Sequence, residues 1–229
     1  GEKPAARDAL AGWLSVERPV MVRVNAAGSA WFDDDLRACA HGAVAAIVLP
    51  KAESADEVAR VASVCGARPV YPLVETARGM WNVVAVAEAP NVKALLFGSL
   101  DYQSDLGTGD DDLLYARSRL VLASRVAGID APVDGITQAV DDLELLRRDC
   151  QRARQLGFAA KLCIHPRQVD VVNRCFAPSA EDVEWARRVV DAFARSNGNA
   201  ALLDGKMIDT PVLARAEAML AEARERGGD

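Results

Sequence analysis

Pro72-Leu73-Val74-Glu75-Thr76-Ala77-Arg78-Gly79 and Leu95-Leu96-Phe97-Gly98-Ser99-Leu100-Asp101-Tyr102 share one design: a short apolar run of strand type that ends in a carboxylate. Their acids, Glu75 and Asp101, stand about one strand-plus-helix unit apart. In a parallel barrel that spacing puts them on neighbouring strand ends at the same rim. Two carboxylates without a histidine or cysteine beside them suit a hard divalent cation such as Mg²⁺, with Mn²⁺ as the alternative. The competing explanation is that each acid caps the helix that follows it, where a carboxylate is also favoured.

Working outward from these two stretches, the same pattern recurs. Pro19 to Asn25, Ala45 to Leu49, Pro69 to Val74 and Val92 to Phe97 read as strands, and their ends fall near residues 25, 50, 75 and 99. A helical pattern lies before and between them: Lys3 to Leu14, Trp31 to His41, a segment from the capping box Ser54-Ala55-Asp56-Glu57 to Cys65, and one from Gly79 to just before Pro90. After the acidic run 110–112, expected as a solvated loop, come a helix from Leu113 to Ala127 and a strand Ala131 to Asp134. A helix Asp141 to Leu156 and a strand Phe158 to Ile164 follow. Pro178-Ser179 opens a helix to Ser196, residues 197–205 read as a flexible connector, and a last helix runs from Pro211 to Arg226. A repeat of about 25 residues that alternates strand and helix signals βα units and a parallel sheet. The expected fold is therefore α/β, a TIM (β/α)8 barrel over residues 1–196, followed by a connector and helical lid over 197–229. Six strands are counted, so the first two βα units, about 40 to 50 residues at this repeat length, are expected to be missing before Gly1. The alternative is an open doubly wound sheet, but no glycine-rich phosphate loop follows any strand.

Of the 229 residues, 51% are hydrophobic, enough for one large core, and the net charge of −6 without a basic run argues against nucleic acid as a partner. No apolar stretch is long enough for a membrane helix. The five cysteines, 39, 65, 150, 163 and 175, form no CxxC and read as small buried hydrophobes in a reducing, cytoplasmic setting. The four tryptophans, 13, 31, 81 and 185, fall in helices and read as packing residues. Arg23 ends its strand at the mouth, where a permanent guanidinium either stabilises negative charge on a substrate or pairs with a rim acid. Lys51 and Glu53 follow a strand and either face the site or serve as rim and first-turn charges. His165, in Ile164-His165-Pro166, reads as a structural histidine bonded to backbone. The backbone of Gly98, Ser99 and Leu100 is a candidate substrate contact, since glycine lets a ligand come close. The last helix carries a weak stripe of Leu213, Ala216, Leu220 and Ala223, suited to protein rather than membrane.

Several stretches together resemble the HpcH/HpaI aldolase and citrate lyase beta-subunit family, in its citrate-lyase-beta-like and malyl-CoA or citramalyl-CoA lyase branch. They are Val22-Arg23-Val24-Asn25, Val48-Leu49-Pro50-Lys51-Ala52-Glu53-Ser54, Leu73 to Gly79, Phe97 to Tyr102, Ala131-Pro132-Val133-Asp134-Gly135, Gly157-Phe158 with Lys161 to Gln168, and Gly205-Lys206-Met207-Ile208-Asp209-Thr210-Pro211. They occur in the family's order across nearly the whole chain. The family's opening strands, one with a Pro-Gly and a basic residue and one ending in an acidic run, do not occur here. Coenzyme A contacts drawn from them are accordingly not assigned.

The resemblance implies an Mg²⁺-dependent carbon–carbon lyase that cleaves a 3-hydroxyacyl-CoA thioester of malyl, citramalyl or citryl type to acetyl-CoA and a keto acid. It assigns Glu75 and Asp101 to the metal and Arg23 to the enolate and the keto acid carboxylate. It makes Asp209, on a C-terminal lid, the acid or base that exchanges a proton with the acetyl-CoA carbon in a neighbouring subunit. Without the resemblance, Asp209 reads as a helix cap. A homotrimer or a dimer of trimers is implied, with other lyase subunits as possible partners. The alternatives are a thioesterase on the same esters, a class II pyruvate-type aldolase and a non-catalytic subunit of a larger complex.

Overall fold

The structure, a computed structural model, describes residues 2–109, 113–196 and 199–227. Helices and strands alternate from the start: α1 (Lys3–Trp13), β1 (Val20–Arg23), α2 (Phe32–Ala38), β2 (Val44–Leu49), α3 (Ala55–Cys65), β3 (Val70–Val74), α4 (Ala77–Trp81) and α5 (Val83–Ala87). They continue as β4 (Leu96–Phe97), α6 (Ser99–Leu106), α7 (Leu114–Ala127), β5 (Val133–Asp134), α8 (Leu143–Leu156), β6 (Ala160–Lys161) and α9 (Pro166–Phe176). The chain closes with α10 (Ala180–Arg195), β7 (Ala201–Leu203), β8 (Lys206–Ile208) and α11 (Thr210–Gly227). It divides into two compact units, Gly1–Val169 and Asp170–Asp229. The division expected from the sequence lay after residue 196.

In the first unit β1 to β6 form one parallel sheet in strictly sequential order. That order separates a barrel-type sheet from a doubly wound one, in which the strand order reverses at a switch point. Each strand is followed by a helical crossover, so all strand C-termini, and the loops after them, share one rim. The interior residues are fully buried and largely branched: Ile47, Leu49, Val70, Val74 and Leu95, with Phe97. Local chemistry sets the helix starts. Ser54 accepts from the Glu57 N–H while the Glu57 carboxylate accepts from the Ser54 N–H, a complete capping box. Thr76 caps α4 through the Gly79 N–H and Asp142 caps α8 through the Leu145 N–H.

Several expectations are corrected. The single helix expected from Gly79 to Pro90 is two short ones, parted at Asn82, whose side chain donates to the Glu53 carbonyl at 2.9 Å. The strands near Leu95, Ala131 and Phe158 shorten to two residues each, because only those residues share ladder bonds with a neighbour. Helix α9 was not anticipated. The described part of the expected connector, residues 199–205, is not plain: Ala201–Leu203 pairs with Lys206–Ile208 in an antiparallel hairpin turned at Asp204 and Gly205, both with positive φ. Trp13, Trp31 and Trp81 are exposed rather than packed, and Cys163 is exposed while Cys39, Cys65 and Cys150 are buried. The acidic run 110–112 lies outside the described residues.

The second unit has its own small core. Ala186, Val189 and Ala192 of α10 meet Ala216 of α11 and Ile208 of β8, with Trp185, Phe193, Val212, Met219 and Leu220 packed around them. The expected α11 stripe is met at Ala216 and Leu220. Among the described residues no helix is long and apolar enough to cross a membrane.

Candidate metal and acid site

Glu75 follows directly on β3 and is only 5% exposed. It does not cap α4, since the neighbouring Thr76 does so. Its Oε1 accepts the Lys51 N–H at 2.9 Å. Lys51 can aim that N–H because its backbone is left-handed, with φ of 50°, a conformation unfavourable for a residue with a Cβ. The next residue returns to the ladder, the Ala52 N–H donating to the Leu73 carbonyl at 3.2 Å. Gly98 also packs closely against the Glu75 side chain. A Cβ at Gly98 would stand 2.6 Å from the Glu75 Oε2, so only glycine leaves space for the carboxylate.

Asp101 lies in the first turn of α6, just past β4, and makes no cap bond there; the cap position is Gly98. It comes close enough to Glu75 for the two carboxyls to share a proton. Burial, and then the Asp101 charge, push the Glu75 carboxyl up to about 7 against the opposing pull of the Lys51 N–H. A pair in that state takes up either a proton or a cation. Among the described residues no group of three or more His, Cys, Asp or Glu side chains gathers for a metal. Two hard oxygen donors with room for water and substrate are what Mg²⁺ accepts, so the residues fit that ion.

Both acids line a cavity of about 420 Å³, together with Arg23, Asn25, Asp35 and Lys51. Arg23 closes β1 with its side chain exposed, and among the described residues no carboxylate pairs with it. The rim ion pair considered for it is therefore not formed. Asn25 and Asp35 were not singled out in the sequence. The N–H and the side-chain amide of Asn25 both donate to the Asp35 Oδ2, at 2.9 and 2.5 Å, and Arg7 donates to its Oδ1 at 2.9 Å. Burial alone raises the Asp35 pKa, but these donors outweigh it and hold the group below the usual carboxylate range. The available signal was an acid ten residues beyond Asn25 in a helix opening with Asp33-Asp34-Asp35, which reads as a solvated face.

The other sequence candidates are placed as follows. Ser99 and Leu100 border a second cavity, of about 450 Å³, with Gln103, Arg117 and Thr137. Glu53 accepts from the Thr76 hydroxyl at 2.8 Å and faces Arg78 at 3.8 Å, holding the β2–α3 loop against α4. His165 accepts the Arg167 N–H through Nδ1 at 3.1 Å, at the opening of α9. Asp209 belongs to the second unit, where it caps α11 by accepting the Val212 N–H at 3.2 Å.

Comparison with known proteins shows the family of the chain. The chain is 38% identical over 228 residues to a citrate lyase subunit beta-like protein of Deinococcus radiodurans, covering 95% of this chain and 79% of that one. It is 34% identical over 210 residues to a (3S)-malyl-CoA thioesterase of Cereibacter sphaeroides, covering 89% and 73%. A crystal structure of CitE from Mycobacterium tuberculosis, in complex with magnesium, acetoacetate and coenzyme A, superposes with a TM-score of 0.84 at 38% identity, covering 97% of this chain and 84% of that one. Residues 3–166 match the model of the HpcH/HpaI aldolase/citrate lyase family, and to that family the chain belongs.

Proposed function

We propose that this protein is an Mg²⁺-dependent carbon–carbon lyase that cleaves a 3-hydroxyacyl-CoA thioester of malyl, citramalyl or citryl type to acetyl-CoA, or a close homologue, and a keto acid. The observation that carries this is the Glu75–Asp101 pair facing one cavity with Arg23, which has no carboxylate partner among the described residues. The CitE complex with magnesium and coenzyme A supports it.

Glu75 and Asp101 would hold the ion. When bound, Mg²⁺ supplies Lewis acidity toward a hydroxyl or ketone oxygen. The Lys51 N–H donates to Glu75 Oε1 and orients the carboxylate that would hold the ion, and Gly98 leaves space for its Oε2. Arg23 binds the substrate carboxylate and stabilises negative charge on the enolate oxygen, as its permanent charge and planar donors allow. Asp209, supplied by a second copy of the chain, returns a proton to the enolate carbon. Its place in the Lys206 to Pro211 stretch supports that role.

The likeness to a malyl-CoA thioesterase supports a second outcome, hydrolysis of the same ester. One experiment separates them: purified protein with Mg²⁺ and malyl-, citramalyl- or citryl-CoA, with and without chelator, read by mass spectrometry. Chelator-sensitive formation of acetyl-CoA and a keto acid is the expected result. Free coenzyme A with an intact hydroxy acid makes it a thioesterase. No turnover of any ester overturns both.

A further inference from the structure

Arg23 and Asn25 are two residues apart at the end of β1, with Val24 buried between them, so both side chains lie on the face that lines the cavity. Arg23 offers donors only. Asn25 is fixed differently. Its N–H and its amide nitrogen converge on one oxygen of Asp35, and Arg7 occupies the other. Asp35 is buried, and an ionised carboxylate can only accept. The amide nitrogen of Asn25 must therefore face Asp35, and its carbonyl Oδ1 turns away. Among the described residues no donor engages that oxygen. Lys3, Arg7, Arg23 and Lys51 bring donors to the cavity, and among the described side chains lining it Asn25 alone is an amide, whose oxygen acceptor stays neutral at any pH.

We propose that Asn25 Oδ1 accepts the O–H of the substrate's hydroxyl group, and that Asp35 is the positioning residue that aims it. This rests on the assignment of the cavity to a hydroxy acid. A hydroxyl can donate to an amide carbonyl, whereas the keto oxygen of the cleaved product is an acceptor and would oppose it. The pair thus favours the hydroxy acid over the keto acid, and helps the keto acid leave after cleavage.

Binding tests this without turnover. Lactate and pyruvate differ at this one oxygen, and each is titrated calorimetrically into the wild type and Asn25→Ala in the presence of Mg²⁺. Loss of one neutral hydrogen bond weakens lactate about fivefold and leaves pyruvate unchanged or tighter. Asn25→Ser, which draws the oxygen back, and Asp35→Asn, which loosens the amide, move lactate alone in the same direction and serve if Asn25→Ala fails to fold. Equal weakening of both acids, or no weakening of lactate, overturns the proposal while leaving the cavity assignment standing. Failure of the wild type to bind either acid overturns both.

Discussion

At the scale of single residues, the proposed chemistry depends on a carboxylate held where water cannot fully stabilise its charge. In the metal-free protein the Glu75 carboxyl titrates at about 7, above its ordinary 4.5, so the fold prefers it protonated. Its charge therefore costs stability progressively as pH rises from about 4.5 through 7, and the full penalty stands above that. Glu75→Gln removes the penalty: at pH 8 without metal its Tm is expected above that of the wild type, with Mg²⁺ binding lost by calorimetry. Gly98→Ala does the opposite, driving a methyl group into the Glu75 carboxylate, with a lower Tm and weaker Mg²⁺ binding. Asp209 permits a cleaner separation. Asparagine caps a helix as well as aspartate does. Asp209→Asn should leave Tm and Mg²⁺ affinity unchanged while lowering kcat by at least about a hundredfold, as removal of a general acid–base does. Unchanged turnover would reduce Asp209 to the cap it forms within α11.

At the scale of elements, α7 is tied to the sheet by a buried charge cluster at the ends of β5 and β6. Arg117 donates to Asp134 at 2.9 Å and lies over the Phe97 ring, while Lys161 contacts Asp134 at 3.4 Å and donates to the Gly135 carbonyl at 2.5 Å. Asp134 is fully buried, so its loss would leave two cations without their shared counter-charge. Asp134→Ala is expected to cost about 3 to 5 kcal/mol in chemical denaturation. The cluster also supports α6, because Gly135 packs so closely on Ser99 that a Cβ there would stand 2.8 Å from the Ser99 Cβ. The Ser54 capping box of α3 is a smaller, half-buried device, and Ser54→Ala should cost about 1 kcal/mol in the same measurement. Capping boxes are local in sequence and were legible there. The Arg117–Asp134–Lys161 cluster joins residues from three elements, and no local pattern announces it.

At the scale of the whole molecule, a cation bound only by the folded state raises apparent stability in proportion to RT ln(1 + [L]/Kd). Mg²⁺ should therefore raise Tm, and chelator should reverse the rise. Below pH 7 the proton on Glu75 competes with the ion, so the Mg²⁺-induced rise is expected to be smaller at pH 6 than at pH 8. A Tm shift independent of pH would place the ion elsewhere. The sequence by itself determined the alternation of strand and helix, the parallel sheet and the two acid-tipped strands, because apolar periodicity and strand-end position are local properties of the chain. It could not tell a ligand carboxylate from a helix cap, since both call for an acid at a helix start. Only the tertiary structure decided that Thr76, not Glu75, is the cap of α4, and that a left-handed Lys51 and a side-chain-free Gly98 hold Glu75 beside Asp101. It alone revealed Asn25 and Asp35 as part of the same cavity, for that contact is made by a strand end and a helix folding together, and a one-dimensional pattern carries no record of such a meeting.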